Sequence, residues 1–332
     1  MKKIISYLRI KEWLSSKVTM MLGIFVYFSY MANLEEKNTM IGIVSFFLFV
    51  AMFLAICYIA NDYSDIEVDK KAGKKKVIAT MKKWQIWLTL IFLFLFGNIP
   101  LVLYCDNKIA VVILVLLNYF MGLAYSTLGI RFKEKGIWGL IECSIAQRCL
   151  PLLVIATMIR FNYVEVLLLL GWIIISFFDG LRYIIIHQVI DLENDLKSGV
   201  VTYVSQKKKN FRKIIISLLL MELVGTVALL IPVFKEHLII AALLVVLFGI
   251  LEFGIYKVIN VFANKDWFCT FDSVPLEAFL NCGMPLFLGL CSVCNNHYML
   301  IYILGLVLIC ASSMMVKWNI SKIYYFHLKK GE

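Results

Sequence analysis

The sequence predicts an all-α protein, a polytopic transmembrane helical bundle of nine or ten spans. Its 332 residues are 62% hydrophobic and only 17% charged, and the mean hydropathy is +0.86. Soluble domains are about half apolar and about a quarter charged, so the composition excludes an ordinary soluble fold. The apolar residues also occur in runs of about 20, the length that crosses a bilayer as a helix.

Ten apolar runs can be marked along the chain, of which the first and ninth are the weakest. They cover residues 18–32, 40–60, 84–104, 109–126, 137–158, 164–187, 213–234, 238–260, 276–293 and 298–316. Residues 1–16 mix apolar and charged positions, which is typical of an amphipathic helix at the membrane interface. No stretch is left for a second folded unit, so we expect one domain over 1–332.

The Lys and Arg residues divide the connections into two sets. The N-terminus and the loops after spans two, four and six carry 21 of them, whereas the loops after spans one, three, five and seven carry 4. The positive-inside rule places the first set in the cytoplasm. The net charge of +11 follows largely from this asymmetry, which indicates contact with lipid headgroups and no nucleic-acid partner.

A first acidic cluster follows span two, in the segment 61–83. Its pattern is N-D-x-x-D-x-x-x-D, formed by Asn61, Asp62, Asp65 and Asp69. If the span continues as a helix, the three aspartates share one face and repel one another unless a cation lies between them. A solvated helix end explains this cluster alone equally well.

A second acidic cluster follows span six, in the segment 187–212. Asp191 and Asp195 are spaced i and i+4, and His187 precedes them by one turn. The charge asymmetry places both clusters on the same side of the membrane. Two sets of carboxylates facing one pocket can hold hard divalent cations such as Mg²⁺, with a bridging pyrophosphate as the natural ligand.

Basic and polar residues on the same side complete this pattern. The segment 125–136 contributes Tyr125, Arg131 and Lys133, and Lys76 follows the first cluster. Most lysines in these loops only follow the positive-inside rule, although basic residues here can neutralise phosphate oxygens that metals do not reach. Inside the spans, Arg148 and Arg182 are candidates for substrate contact, since ionisable groups are costly there. Asp179 and Arg182, at i and i+3, fit a structural pair equally well.

The two motifs resemble those of the UbiA-type intramembrane prenyltransferase superfamily, whose members carry N-D-x-x-D-x-x-x-D after the second span and D-x-x-x-D after the sixth. The stretch after the second motif is also similar, through Lys197, Gly199 and Thr202, as is the Tyr125-Ser126 loop with Arg131 and Lys133. The resemblance covers about residues 10–260.

The resemblance implies an enzyme that transfers prenyl groups. An allylic isoprenyl diphosphate would be ionised with Mg²⁺ held by the five aspartates, Asp62, Asp65, Asp69, Asp191 and Asp195. The prenyl group would pass to an apolar or aromatic acceptor, with release of diphosphate. The implied substrate contacts are Asn61, Lys76, Tyr125, Arg131, Lys133, Arg148, Arg182, His187 and Lys197.

Two departures from the family pattern keep other functions open. "KKKVIA" replaces the Arg-Pro pair that many ring-prenylating members carry, with Lys76 as a stand-in, and His187 lies where many members have tyrosine. One alternative is a terpene cyclase of the same superfamily, which ionises the same diphosphate without an acceptor. A cation transporter with an acidic vestibule and a non-catalytic scaffold are further alternatives. The prenyl chain length, the acceptor and the oligomeric state do not follow from the sequence.

Overall fold

A computed structural model describes residues 2–71, 73, 76–127, 129–206, 211–237, 279–293 and 296–310, together with residues 239, 240, 243 and 246. In these ranges the regular structure is helical. The α-helices are α1 (Lys2–Tyr7), α2 (Ile10–Trp13), α3 (Thr19–Met31), α4 (Glu36–Ser64), α5 (Ile66–Lys71), α6 (Lys83–Tyr104), α7 (Lys108–Ala124), α8 (Ile137–Ser144), α9 (Leu150–Met158), α10 (Tyr163–Ser198), α11 (Tyr203–Gln206), α12 (Phe211–Glu236), α13 (Met284–Val293) and α14 (Met299–Cys310).

Short π-helical and 3₁₀ turns connect several of these helices. The π-helical turns are Leu14–Val18, Ile145–Cys149 and Phe279–Gly283, and the 3₁₀ turns are Val77–Thr80 and Phe132–Glu134. The first two π turns join α2 to α3 and α8 to α9 without a break, so each forms part of one longer helix.

Six helices of the described residues are long and apolar enough to cross a membrane, and three shorter apolar helices accompany them. They coincide with nine of the ten predicted spans. Most of the predicted span 238–260 and the end of the span 298–316 lie outside the described residues, so the choice between nine and ten stays open.

The core and the lipid-facing surface are both apolar, as expected for a bundle in a bilayer. Phenylalanines of α3 and α4, among them Phe25, Phe46 and Phe53, are fully buried where these helices pack together. In contrast, α6 and α12 expose rows of large apolar side chains, including Trp87, Phe92 and Val224. This exposed apolar surface suits contact with lipid tails.

Two helices are longer than the membrane is thick. Helix α4 has 29 residues and α10 has 36, which correspond to about 44 and 54 Å at 1.5 Å per residue. The apolar layer of a bilayer is about 30 Å thick. The C-terminal turns of both helices therefore extend into the headgroup region or beyond, and they carry the acidic motifs.

The connections also sort into two ends of the bundle, as the charge pattern predicts. At one end Tyr30, in the last turn of the first span, contacts His237 at 2.8 Å, and Asp106 pairs with Arg160 at 3.3 Å. The acidic motifs and the loop that contains Lys133 meet at the other end. The alternation of the spans is therefore consistent with the prediction that all three motif segments share one side.

Local signals explain the limits of α10. Asn162 and Glu165 cap its start reciprocally, because Glu165 N donates to Asn162 Oδ1 at 2.9 Å and Asn162 N donates to Glu165 Oε2 at 2.7 Å. The helix ends at Gly199, whose φ of 73° is left-handed and favours glycine. The segment 187–212, predicted as a loop, is thus helical as far as Ser198.

Candidate active site

A cavity of about 330 Å³ opens at the end of the bundle that carries the acidic motifs. Its walls come from the N-terminal segment, α4, the end of α7, the α8–α9 region and α10. The acidic, basic and amide side chains that line it are Arg9, Glu12, Lys17, Asn61, Asp65, Asp69, Lys76, Lys133, Gln147, Arg148, His187, Gln188, Asp191 and Asp195. Both acidic motifs therefore face one space, although more than 120 residues separate them in sequence.

The first motif does not lie on one uninterrupted helix. Helix α4 ends at Ser64, and Asp65 leaves the helical conformation with φ −102° and ψ 7° before α5 begins. The break directs Asp65 and Asp69 toward the cavity. Asp62 is buried behind them, where Arg9 Nη1 donates to its Oδ1 at 2.9 Å.

Lys76 bridges two carboxylates of the first motif. Its Nζ lies 2.6 Å from Asp62 Oδ1 and 2.7 Å from Asp69 Oδ2. Burial by itself lowers the pKa of Lys76, but the two carboxylates outweigh burial and raise it above the usual lysine value. Lys76 therefore remains charged and brings two aspartates together from opposite sides of the break in the helix.

Lys133 and Arg131 both contact Asp65. Lys133 is buried and donates to Asp65 Oδ1, and Arg131 Nη2 lies 3.5 Å from the same oxygen. Burial lowers the pKa of Lys133, and the Asp65 carboxylate offsets only part of this effect. The loop 125–136 thus places a poorly solvated ammonium group at the cavity wall, which favours an additional anionic partner.

The same loop is held against α4 by the predicted asparagine. Ser126 Oγ donates to Asn61 Oδ1 at 2.5 Å, and both side chains line the cavity beside Tyr125. Asn61 therefore ties the loop to the helix that carries the first motif.

The second motif projects from the last turns of α10. Asp191 and Asp195 line the cavity, and Thr202 Oγ1 donates to Asp195 Oδ2 at 3.3 Å. His187 lies one turn deeper than Asp191 on α10, and Tyr183 lies two turns deeper. The centroids of their two rings are 5.0 Å apart. Gln188 Oε1 accepts from Val204 N at 3.2 Å, which draws the segment after α10 back over the helix.

Arg148 and Arg182 have different positions. Arg148 lines the cavity, where its guanidinium lies 5.5 Å from the Tyr183 ring centroid. Arg182 is fully buried away from the cavity and bonds Asp179 and Glu222, at 2.8 Å each. Asp179 also pairs with Arg148 at 2.7 Å, so one buried ion network links spans five, six and seven. The position of Arg182 does not support the substrate contact that the sequence suggested.

The structure brings together most of the predicted site residues. The predicted residues that line the cavity are Asn61, Asp65, Asp69, Lys76, Tyr125, Lys133, Arg148, His187, Asp191 and Asp195. Asp62 and Arg131 do not line it but bond residues that do. The Lys197 side chain lies outside the part that the structure describes. Sequence reasoning missed Arg9, Glu12 and Lys17. The only signal for them was the pattern of charges among apolar residues near the N-terminus.

The cavity suits a magnesium ion that is bound jointly with a phosphate ligand. Within the described residues, no three His, Cys, Asp or Glu side chains converge closely enough to hold a metal by themselves. Mg²⁺ usually takes only one or two carboxylates and completes its shell with water and substrate phosphates. Carboxylates that approach from α5 and from α10 meet this requirement, and the donor set consists of hard oxygens.

Comparisons with known proteins give the chain a family and a fold. The model of the UbiA prenyltransferase family matches residues 21–283, whereas no curated protein matches the sequence.

Solved structures agree with the family match. A UbiA homolog from Archaeoglobus fulgidus bound to DMAPP and Mg²⁺ superposes with a TM-score of 0.57 at 15% identity, covering 87% of this chain and 98% of that chain. The same homolog bound to GPP and Mg²⁺ superposes with a TM-score of 0.55 at 16% identity, covering 87% of this chain and 99% of that chain. A digeranylgeranylglyceryl phosphate synthase superposes with a TM-score of 0.51 at 17% identity, covering 92% of this chain and 99% of that chain.

These structural likenesses confirm the predicted helical fold, and the six apolar helices agree with an integral membrane protein. The family match confirms the resemblance that the two acidic motifs indicated. The chain belongs to the UbiA prenyltransferase family.

Proposed function

We propose that the protein is a Mg²⁺-dependent membrane prenyltransferase, which ionises an allylic isoprenyl diphosphate and transfers the prenyl group to an acceptor. One observation carries the proposal: Asp65 and Asp69 of the first motif share a single cavity with Asp191 and Asp195 of the second. The homologues from Archaeoglobus fulgidus bind DMAPP or GPP together with Mg²⁺. These complexes support the same donor class here.

In the proposed reaction the bond between C1 of the prenyl group and the diphosphate oxygen breaks, and its electron pair leaves with the diphosphate. An electron pair of the acceptor then forms the new bond to C1, and the acceptor loses a proton. Asp65, Asp69, Asp191 and Asp195, with Asp62 behind them, would hold Mg²⁺. The bound metal would offset the negative charge that grows on the leaving group.

The side chains at the cavity mouth orient the donor. Lys76 and Lys133 each contact a carboxylate of the first motif and are placed to donate to phosphate oxygens as well. The surrounding helices exclude water, which would otherwise convert the allylic cation to an alcohol.

Purified protein in detergent, incubated with dimethylallyl, geranyl or farnesyl diphosphate, tests this function. We expect diphosphate release with Mg²⁺ and none in excess chelator, and mass spectrometry should identify prenylated acceptors among added candidates. Undiminished release in excess chelator would reject the metal mechanism. Cyclised hydrocarbon formed without any acceptor would assign the protein to the cyclase alternative instead. Metal flux through liposomes without diphosphate release would favour the transporter.

A further inference from the structure

One buried carboxyl group of the described residues has no partner. Glu142, in the first half of span five, is 3% exposed, and neither of its carboxyl oxygens has a hydrogen-bond partner. No ion pair of the described residues includes it either. The other buried acidic side chains of the described residues bond a cation or cap a helix; they are Asp62, Glu165, Asp179 and Glu222. A buried carboxyl without compensation costs free energy, so the packing of the bundle gives no reason for a glutamate here.

Glu142 lies where α4, α7 and α8 meet beside the cavity. It interacts electrostatically with Cys57 of α4, with Tyr125 at the end of α7 and with the adjacent Cys143. These three side chains line the cavity, whereas Glu142 is not among the lining residues. The carboxyl group therefore lies behind the part of the cavity wall that these three residues form.

Close packing fixes the helix that carries Glu142. A Cβ on Gly139, one turn before Glu142, would lie 3.2 Å from Lys133 Cα. Residues three apart share one face of a helix, so Glu142 lies on the face of α8 that packs against the loop 125–136. A Cβ on Gly122 of α7 would lie 2.5 Å from Cys57 Sγ. The glycines thus allow α8 to approach this loop, and α7 to approach α4, near the Glu142 side chain.

Two counts along the helices give the depth of this carboxyl group. Glu142 follows Ile137, the first residue of α8, by five residues, which corresponds to about 8 Å along the helix axis. Its neighbour Cys57 precedes Asp62 on α4 by five residues, again about 8 Å. A donor whose diphosphate lies at the aspartates has its C1 atom and prenyl chain immediately below them. Glu142 therefore lies at the level of the reacting carbon atoms and not at that of the leaving group.

The reaction needs a proton acceptor at this level. Both prenyl transfer and cyclisation that ends in a hydrocarbon release one proton from carbon or oxygen near the cation. The aspartates at the cavity mouth would hold Mg²⁺ and lie beside the leaving group. A carboxylate that has neither hydrogen bonds nor a cationic partner in apolar surroundings gains free energy by binding a proton. Glu142 has these properties among the described residues.

We propose that Glu142 takes up the proton that the reaction releases. This rests on the donor ionisation proposed above. Once the new bond to C1 has formed, the C–H or O–H bond of the acceptor breaks, and its electron pair stays with the product. The proton forms an O–H bond on the Glu142 carboxylate and passes to water when the product leaves. No hydrogen bond holds the side chain in place, so a change of rotamer can bring the carboxylate to the cavity.

The test uses a reaction that needs no acceptor. Full-length protein in detergent, in excess over geranyl diphosphate and with Mg²⁺, should ionise the donor. The geranyl cation then captures water to give an alcohol, or loses a proton to give a hydrocarbon, and gas chromatography with mass spectrometry measures their ratio. We expect Glu142→Gln to lower the ratio of hydrocarbon to alcohol about tenfold, less than a general base can contribute, because the released diphosphate remains as a weaker base. The rate of diphosphate release should stay nearly unchanged.

Two further variants accompany this measurement. Glu142→Leu should show the same low ratio, with a melting temperature that equals or exceeds that of the wild type, because an uncompensated carboxyl is replaced by an apolar side chain. Glu35→Gln, at an exposed glutamate on the opposite end of the bundle, should keep the wild-type ratio.

Two results would overturn the proposal. One is a wild-type ratio of products in Glu142→Gln and Glu142→Leu, which would show that the diphosphate or water takes the proton. The other is a loss of diphosphate release as large as that caused by changing an aspartate of either motif, since Glu142 would then act in the ionisation step. If the wild type in excess releases no diphosphate, the proposed function itself is rejected. Normal release with an unchanged ratio rejects only the role of Glu142.

Discussion

The aspartates of the first motif all have cationic partners. Asp62 bonds Arg9 and Lys76, Asp69 bonds Lys76, and Asp65 bonds Lys133 and Arg131. These cations offset the mutual repulsion of the closely spaced carboxylates. In the proposed complex the same cations are positioned to contact the diphosphate, so they serve the carboxylates before binding and the substrate afterwards.

Removing one negative charge from either motif should almost abolish the release of diphosphate from the donor. We expect Asp62→Asn and Asp191→Asn each to lower the rate of diphosphate release about 100-fold or more, because the charge on the leaving group loses stabilisation. The folded state should persist, since asparagine has nearly the same size and shape as the aspartate that it replaces. Asp106→Asn is the matched control, at an aspartate 83% exposed at the opposite end of the bundle. Wild-type release rates from Asp62→Asn or Asp191→Asn would reject the two-motif site.

Lys133 should contribute less than the aspartates. In Lys133→Met we expect the KM for the donor diphosphate to rise about tenfold, because one charge-assisted hydrogen bond to phosphate is lost. The effect on kcat should remain smaller than that of either aspartate change, because Lys76 and the metal still face the leaving group. Lys135→Met, two residues further along the same loop, should match the wild type in steady-state kinetics. A loss in Lys133→Met as large as in Asp191→Asn would contradict this ranking.

At the level of helices, the buried ion network decides how spans five, six and seven are arranged around the cavity. Arg148 on the α8–α9 segment and Arg182 on α10 share Asp179, and Arg182 also bonds Glu222 on α12. Close packing accompanies it, because a Cβ on Gly180 would lie 2.9 Å from Ser144 Cα. The network therefore orients Arg148, the member that reaches the cavity, through residues that do not.

Breaking this network should cost stability. Arg182→Met leaves Glu222 as an unpaired buried charge, and we expect the free energy of unfolding to fall by about 3–5 kcal/mol. The double variant Arg182→Met/Glu222→Leu should recover part of that loss, because no unpaired charge remains. Thermal unfolding in detergent measures both effects.

A second arginine–carboxylate pair serves as the control for this prediction. Arg160 is 94% exposed and pairs with Asp106, and exposed pairs contribute about 0–1 kcal/mol. Arg160→Met should therefore leave the melting temperature almost unchanged. If Arg182→Met were as stable as Arg160→Met, the network would have no role in the packing of these spans.

At the scale of the whole molecule, the protein has a polar end that carries the cavity and an opposite end with few basic residues. From the basic excess of 21 residues over 4, we predict that the cavity end faces the cytoplasm. The substitutions Lys135→Cys and Asp106→Cys, each made in a variant without the native cysteines, test this orientation. We expect a membrane-impermeant maleimide to label position 135 from the cytoplasmic side and position 106 from the other side. The reverse pattern would contradict the proposed orientation.

The sequence alone determined the class of protein and the two acidic motifs at its polar end. Composition and run length indicate a helical membrane protein, because spans must be apolar and must satisfy their own backbone hydrogen bonds. The spacings within N-D-x-x-D-x-x-x-D and D-x-x-x-D are local properties of the chain, so they could be recognised without a structure. The alternation of basic loops likewise predicted which connections share an end of the bundle.

Only the tertiary structure decided which distant residues meet. Lys17 and Gln147 bond each other across 130 residues, and Arg9 reaches Asp62 across 53. No local pattern encodes such pairs, since they depend on how the spans pack. Arg148 and Arg182 looked equivalent in sequence, yet packing turns one toward the cavity and buries the other against Glu222. The cost of burying charge explains both outcomes, because each of these two guanidinium groups pairs with a carboxylate on another span, which the fold brings to it.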